Sequence, residues 1–170
     1  MYSSMAGSAY YLASLCDLMG KGRVITIDVD SADDSVSRER RPVGKVRPDH
    51  PRIVYLRGSS TSEDVLLRRK SLIHAGDSVL VILDSDHSQT HVFGELCAYS
   101  PLVSMGSYLI VEDTNVNGHP ILSQFGPGPM EAVEEFLKTN TNFVIDRSRE
   151  KHLLTFNPCG YLRRKSCVGP

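Results

Sequence analysis

Apolar and polar positions along this chain follow two rhythms in turn, and each change of rhythm marks an element. From residue 9 to residue 19, Tyr10, Leu12, Ala13, Leu15, Cys16 and Met19 recur at helical spacing, and Gly20 and Gly22 close the helix. Residues 23–29 (RVITIDV) form a β-branched run and predict a strand. Residues 31–51 are polar, charged and interrupted by proline, the composition of a surface loop. A second strand is expected at 52–56 (RIVYL). A helix at 62–72 follows, whose early Glu63 and Asp64 suit the positive end of its dipole. Residues 78–83 (SVLVIL) are nearly all apolar, as in a parallel strand covered on both faces. A helix at 88–102 places Val92, Phe93, Leu96 and Tyr99 on one face, and 108–111 (YLIV) is a fourth strand. Beyond a loop rich in Gly, Pro and Asn, a helix at 129–139 opens on proline, and 143–146 and 152–156 read as two closing strands.

Strands alternating with helices predict an α/β fold with a doubly wound, mostly parallel sheet and an antiparallel C-terminal edge, in a single domain over residues 1–170. At 41% apolar residues the chain can bury a sizeable core without staples. A net charge of −1 offers no basic face for nucleic acid or anionic lipid. The longest apolar runs are too short for an integral membrane segment. The N-terminus has no basic stretch ahead of its apolar residues, so a cytoplasmic protein is expected. Four cysteines at 16, 97, 159 and 167 lack CxxC spacing, and free thiols are expected, with Cys16 and Cys97 buried in helices.

In doubly wound sheets, ligands bind beyond the carboxyl ends of the strands. Each strand here ends in polar groups: Asp28 and Asp30 after the first, Gly58, Ser59, Ser60 and Thr61 after the second, Asp84 to His87 after the third, and Glu112 to Asn115 after the fourth. Asp28 could receive ribose hydroxyls or merely form a turn. Gly7 and Ser8 could present backbone N–H groups to a carboxylate or simply cap a helix. Asp84, Glu112 and Asp113, with Asp86 nearby, would repel one another unless protons or a cation neutralise them, and hard oxygen donors suit Mg²⁺. The other reading is that each faces solvent separately. His87, three residues beyond Asp84, could take a proton near neutral pH, or be a capping residue.

The segments GSAYYLASLCDLMGKGRVITIDVD, VLVILDSDHSQTHVFGEL, GSYLIVEDTNVNGHP, GPGPMEAVEEFL and FNPCGYLRR, in this order, resemble the cephalosporin hydroxylase and rhamnosyl O-methyltransferase family, a branch of class I methyltransferases. The resemblance implies an S-adenosylmethionine-dependent, metal-assisted O-methyltransferase acting on a hydroxyl of a sugar or other small molecule. It implies Asp28 on the cofactor ribose, Gly7 and Ser8 near the methionine end, Ser60 near the adenine, and Ser59 among the cofactor-binding residues. Asp84 would border that pocket. Asp84, Glu112 and Asp113 match divalent-metal ligands, with Asp86 competing with Asp84 for first ligand, and His87 matches a general base. The catalytic pair is then His87 and Asp84. The family pattern also carries a strand and glycine-rich turn before GSA, so the first strand is expected to be missing here, and homo-oligomerisation stays open. Two other readings are a non-catalytic binding protein of methyltransferase fold and a hydroxylase-type oxidoreductase. No set of two histidines and a carboxylate is evident for the latter, and the absence of GxGxxG counts against a nicotinamide enzyme.

Overall fold

The computed structural model describes residues 7–29, 49–151 and 154–166. The chain divides into two compact units, Met1–His74 and Ala75–Pro170. Most of the expected 31–51 loop lies outside the described residues, as do Asp30, His152 and Cys167.

The first unit holds α1 (Gly7–Leu18), β1 (Val24–Asp28), β2 (Ile53–Arg57) and α2 (Glu63–Ser71). β1 and β2 pair in parallel, from Val24 opposite Ile53 to Asp28 opposite Arg57. The face α1 buries is made by alanines. Ala9 and Ala13 close onto Ile53, with Val24 and Tyr55 packed beside them, while Tyr10 and Tyr11 stand exposed. Asp17 fastens the end of α1 to the start of β2, accepting from Arg52 Nε at 2.5 Å with His50 Nε2 at 3.0 Å.

The second unit holds β3 (Val81–Leu83), α3 (Gln89–Tyr99) with a 3-10 turn at Ser100–Leu102, β4 (Tyr108–Val111), α4 (Pro129–Thr139), β5 (Phe143–Ile145), a 3-10 turn at Arg147–Arg149, and β6 (Tyr161–Arg164). Its sheet runs β3-β4-β6-β5, with β3 parallel to β4 and β6 antiparallel to both its neighbours. The mixed α/β architecture with parallel pairs and an antiparallel C-terminal strand is as the sequence predicts.

Three details differ. The last strand is Tyr161–Arg164 and not 152–156: Pro158 has no N–H for a ladder, and Cys159 turns the chain at φ 58°, so pairing resumes only at YLRR, where Leu162 is wholly buried. β3 is short and lies at the edge of its sheet, with Leu80 and Ile82 open to solvent and Leu83 buried. Cys97 is exposed, because the buried stripe of α3 is Val92, Glu95, Leu96 and Tyr99. Cys16, Cys97 and Cys159 are free thiols. The core between sheet and helices gathers Leu96, Leu109, Val111, Val133, Phe136 and Leu162, with the Phe136 ring 5.8 Å from that of Phe143. Burying Phe136 alone contributes about 2–3 kcal/mol. Among the described residues no helix is long and apolar enough to cross a membrane.

Candidate metal centre

β3 and β4 are parallel neighbours with Leu83 opposite Val111, so their next residues, Asp84 and Glu112, leave the sheet at the same end. The Glu112 N–H donates to Leu83 O at 2.9 Å and keeps the two chains together past the ladder. His87 Nε2 lies 3.5 Å from Asp84 Oδ1 and 3.2 Å from Asp113 Oδ2. One ligand atom from each of these three residues lies within 4.8 Å of the other two, the spacing of donors around a single ion. Their side chains keep 21%, 25% and 27% of their surface open, enough for entry from solvent and little enough to cost hydration.

His87 Nε2 is itself wholly covered and makes no aligned hydrogen bond, although two carboxylates flank it. When protonated, the ring is an ion-pair partner of both carboxylates. Contact with Asp84, then the charge of Asp113, raises the imidazole above its usual range. Burial, reinforced by the charges of Asp84 and Asp113, raises the Glu112 carboxyl too. Glu112 therefore senses the same crowded negative field. Asp86 is turned elsewhere: its Oδ1 accepts the Ser88 N–H at 2.8 Å, which holds its carboxyl low. Ser85 Oγ donates to Glu95 Oε2 at 2.7 Å.

The arm after β4 is held by a segment whose role the sequence did not disclose. Asp113 adopts φ 53°, a left-handed conformation that costs a non-glycine residue about 1 kcal/mol. Its N–H donates to Asn157 Oδ1 at 2.9 Å, Thr114 Oγ1 donates to Pro158 O at 2.6 Å, and the Asn115 N–H donates to Phe156 O at 3.1 Å. A Cβ on Gly160 would come within 2.2 Å of Val111 O, so only glycine lets this turn lie against β4. The turn composition Asn-Pro-Cys-Gly was the available signal for a close backbone approach.

A second clamp closes the loop before α4. Glu131 accepts from Gly128 N–H at 2.7 Å and Asn117 Nδ2 at 2.8 Å, and meets His119 Nε2 at 3.0 Å. Against burial, which would raise it, these bonds hold the Glu131 carboxyl down to about 2. A Cβ on Gly128 would lie 3.3 Å from His87 O, so the start of α4 rests against the backbone that carries the imidazole.

The expected cofactor residues other than Asp84 belong to the first unit. Gly7 and Ser8 head α1 and are exposed. Asp28 closes β1, half-buried, and its carbonyl accepts from Gly58 N–H at 3.0 Å. Gly58 sits at φ 138°, where a Cβ would clash with Val65 Cγ2 at 2.6 Å. Ser59 Oγ and Thr61 Oγ1 are 3.1 Å apart and half-buried, as is Ser60. The structure thus brings together Asp84, His87 and Asp113, with Glu112 in their field, and turns Asp86 away.

The family described as Rhamnosyl O-methyltransferase/CmcI matches residues 3–165. Rhamnosyl O-methyltransferases of Mycobacterium tuberculosis and Mycobacterium bovis are 38% identical over 163 residues, covering 93% of this chain and 62% of theirs. That of Mycobacterium leprae is 34% identical over 169 residues, covering 96% and 69%. The chain therefore spans 62% of the length of the first two relatives. Among solved structures, a MycE methyltransferase from the mycinamycin biosynthetic pathway, in complex with Mg, SAH and mycinamycin VI, aligns with a TM-score of 0.49 at 18% identity, over 75% of this chain and 31% of that one.

Proposed function

From a chain that belongs to the Rhamnosyl O-methyltransferase/CmcI family, we propose an S-adenosylmethionine-dependent, divalent-metal-assisted O-methyltransferase acting on a hydroxyl of a sugar or other small molecule. The observation that carries this reading is the meeting of Asp84, His87 and Asp113 beyond the parallel β3 and β4, with one ligand atom of each within 4.8 Å of the others. Asp84, Glu112 and Asp113 are the residues that would hold the cation. They offer hard oxygen donors, and their mutual repulsion falls when a positive charge joins them. When bound, Mg²⁺ would supply Lewis acidity toward an acceptor hydroxyl, and S-adenosylmethionine would supply the methyl group. His87, set between Asp84 and Asp113, would accept the hydroxyl proton. Gly128, just before α4, lies against the His87 backbone carbonyl. Asp86 is committed to Ser88, which favours Asp84 as the first ligand.

Gly7, Ser8, Asp28, Ser59 and Ser60 are proposed for the cofactor, with Asp84 at its border, and the two units for one domain over residues 1–170. A hydroxylated small-molecule partner and a cytoplasmic location belong to the same proposal. An oxygenase would need two histidines beside a carboxylate. Among the described residues His91 faces Glu95 at 3.6 Å and His119 faces Glu131, which leaves His87 as the single histidine of the cluster. Calorimetry with S-adenosylmethionine and Mg²⁺, followed by transfer of labelled methyl to a methyl rhamnoside, tests the proposal. Expected are binding of both and transfer abolished by chelation. Binding of neither sinks it.

A further inference from the structure

Among the described residues, the proposed chemistry leaves the most deeply buried carboxyl group, that of Glu95, unused. Glu95 sits on α3 in the stripe otherwise made of Val92, Leu96 and Tyr99, and its side chain is only 3% exposed. A carboxylate there is costly, and an apolar residue would pack at least as well. One oxygen, Oε2, accepts the Ser85 hydroxyl at 2.7 Å, and the other, Oε1, faces His91 Nε2 at 3.6 Å.

Ser85 lies between Asp84 and Asp86 in the loop that joins β3 to α3. In that loop the residues divide their tasks. Ser85 is tied down to Glu95 and Asp86 is tied forward to the Ser88 N–H, while Asp84 and His87 on either side meet at the cluster with Asp113. Two adjacent anchors fix the path of residues 84–87, and hence where the outer two side chains, Asp84 and His87, arrive.

We infer that Glu95 is a positioning residue, acting through the Ser85 hydroxyl to hold Asp84 and His87 in the geometry that takes a divalent cation. The inference rests on the metal-assisted reading above and names a part of its support. Glu95 bonds the chain neighbour of a ligand and not the ligand itself, so its loss is expected to weaken metal affinity by about 10-fold, the low end of the range for groups that orient ligands. The relevant feature of Glu95 is an acceptor at a fixed place. Glutamine can keep that acceptor, and leucine cannot.

The test uses Mn²⁺ as the probe, followed by loss of the free-ion paramagnetic resonance signal, on the wild-type chain and on the Glu95→Gln, Glu95→Leu and Ser85→Ala variants. The metal-free melting temperature of each is the control for folding. Expected is Mn²⁺ binding to wild type, weakened about 10-fold or more in Ser85→Ala and Glu95→Leu and kept within about 3-fold in Glu95→Gln. In metal-free protein the His87 ring signals should shift in Ser85→Ala and stay near wild type in Glu95→Gln. Folded Ser85→Ala that binds Mn²⁺ as tightly as wild type, with unmoved His87 signals, overturns the inference while leaving the metal reading intact. Should Glu95→Leu fail to fold, Ser85→Ala, which deletes one hydroxyl, still decides. Wild type that binds no Mn²⁺ overturns the metal reading and this inference with it.

Discussion

The two arms that meet at His87 are fixed by opposite means. The arm after β3 keeps ordinary backbone conformations and is pinned by its side chains, Ser85 to Glu95 and Asp86 to Ser88. The arm after β4 is strained at Asp113, φ 53°, and at Asn117, φ 58°, and is pinned mainly through its backbone by a segment some forty residues later, Asn157 to Gly160. The first arm draws its precision from a neighbouring helix. The second depends on a long-range closure by the segment that leads into β6. Strain at a position such as Asp113 persists when the surroundings over-determine it, and here they do.

Removing chemistry and removing support should therefore separate most widely at Asp84. Asp84→Asn keeps the shape of the first arm and deletes a charge that the cluster shares. The expected result is a loss of about 1,000-fold in turnover, equivalent to about 4 kcal/mol, with a melting temperature close to wild type. Kinetics beside calorimetric unfolding would show the split, and an active Asp84→Asn enzyme would contradict it. Gly160→Ala should do the reverse. A Cβ 2.2 Å from Val111 O forces β4 and the turn apart, so a stability loss of about 3 kcal/mol is expected, read by chemical denaturation.

The first arm was far easier to read in the sequence than the second. Two aspartates and a histidine directly after an apolar strand, Asp84, Asp86 and His87, announce themselves because they are close together in the chain. The mixed α/β order and the parallel β3–β4 pair also followed from periodicity alone. The pairing of Asn157 and Gly160 with Asp113 and Val111 could not, since nothing local in FNPCG says which strand end it covers. The misplaced last strand has the same origin: 152–156 has enough apolar character for a strand, and only the tertiary pairing of YLRR with β4 and β5 decides against it. Glu95 hid for a different reason. A glutamate one position from an apolar helical stripe reads as solvent-facing until the loop above it is in place. Tyr10 misled in the opposite sense, because α1 packs through alanines small enough to bring the helix close.

Glu131 sharpens the comparison through pH. Its carboxyl is held at about 2 in the folded chain, below the ordinary 4.5, so the native state favours its ionised form. That stabilisation is fully present above pH 4.5 and drains away as pH falls from there toward 2. With 24% of the side chain exposed, the effect should be about 2 kcal/mol. Denaturation of wild type and Glu131→Gln across pH 5 to 2 should show the wild-type advantage shrinking over that window. A constant gap between the two curves would mean that the bonds to Gly128, Asn117 and His119 do not depend on the charge.

The smallest effect is expected at Asn157, and it discriminates most finely between the two arms. Asn157→Ala removes the acceptor of the Asp113 N–H and leaves a half-buried donor without its partner, worth about 1 kcal/mol of stability. The Thr114, Asn115 and Val111 bonds to the same segment remain, so the chain should still fold. What should change is Asp113 itself: with its N–H freed, the left-handed conformation is no longer enforced and its carboxylate samples positions away from His87. Mn²⁺ affinity should therefore fall by more than stability does, about 10-fold for a change of about 1 kcal/mol in unfolding free energy. Asn157→Asp, which keeps an acceptor at the same place, should restore the geometry and recover most of the affinity. If Asn157→Ala loses stability and keeps its Mn²⁺ affinity, the strain at Asp113 is held by the sheet alone, and the contrast between the two arms disappears.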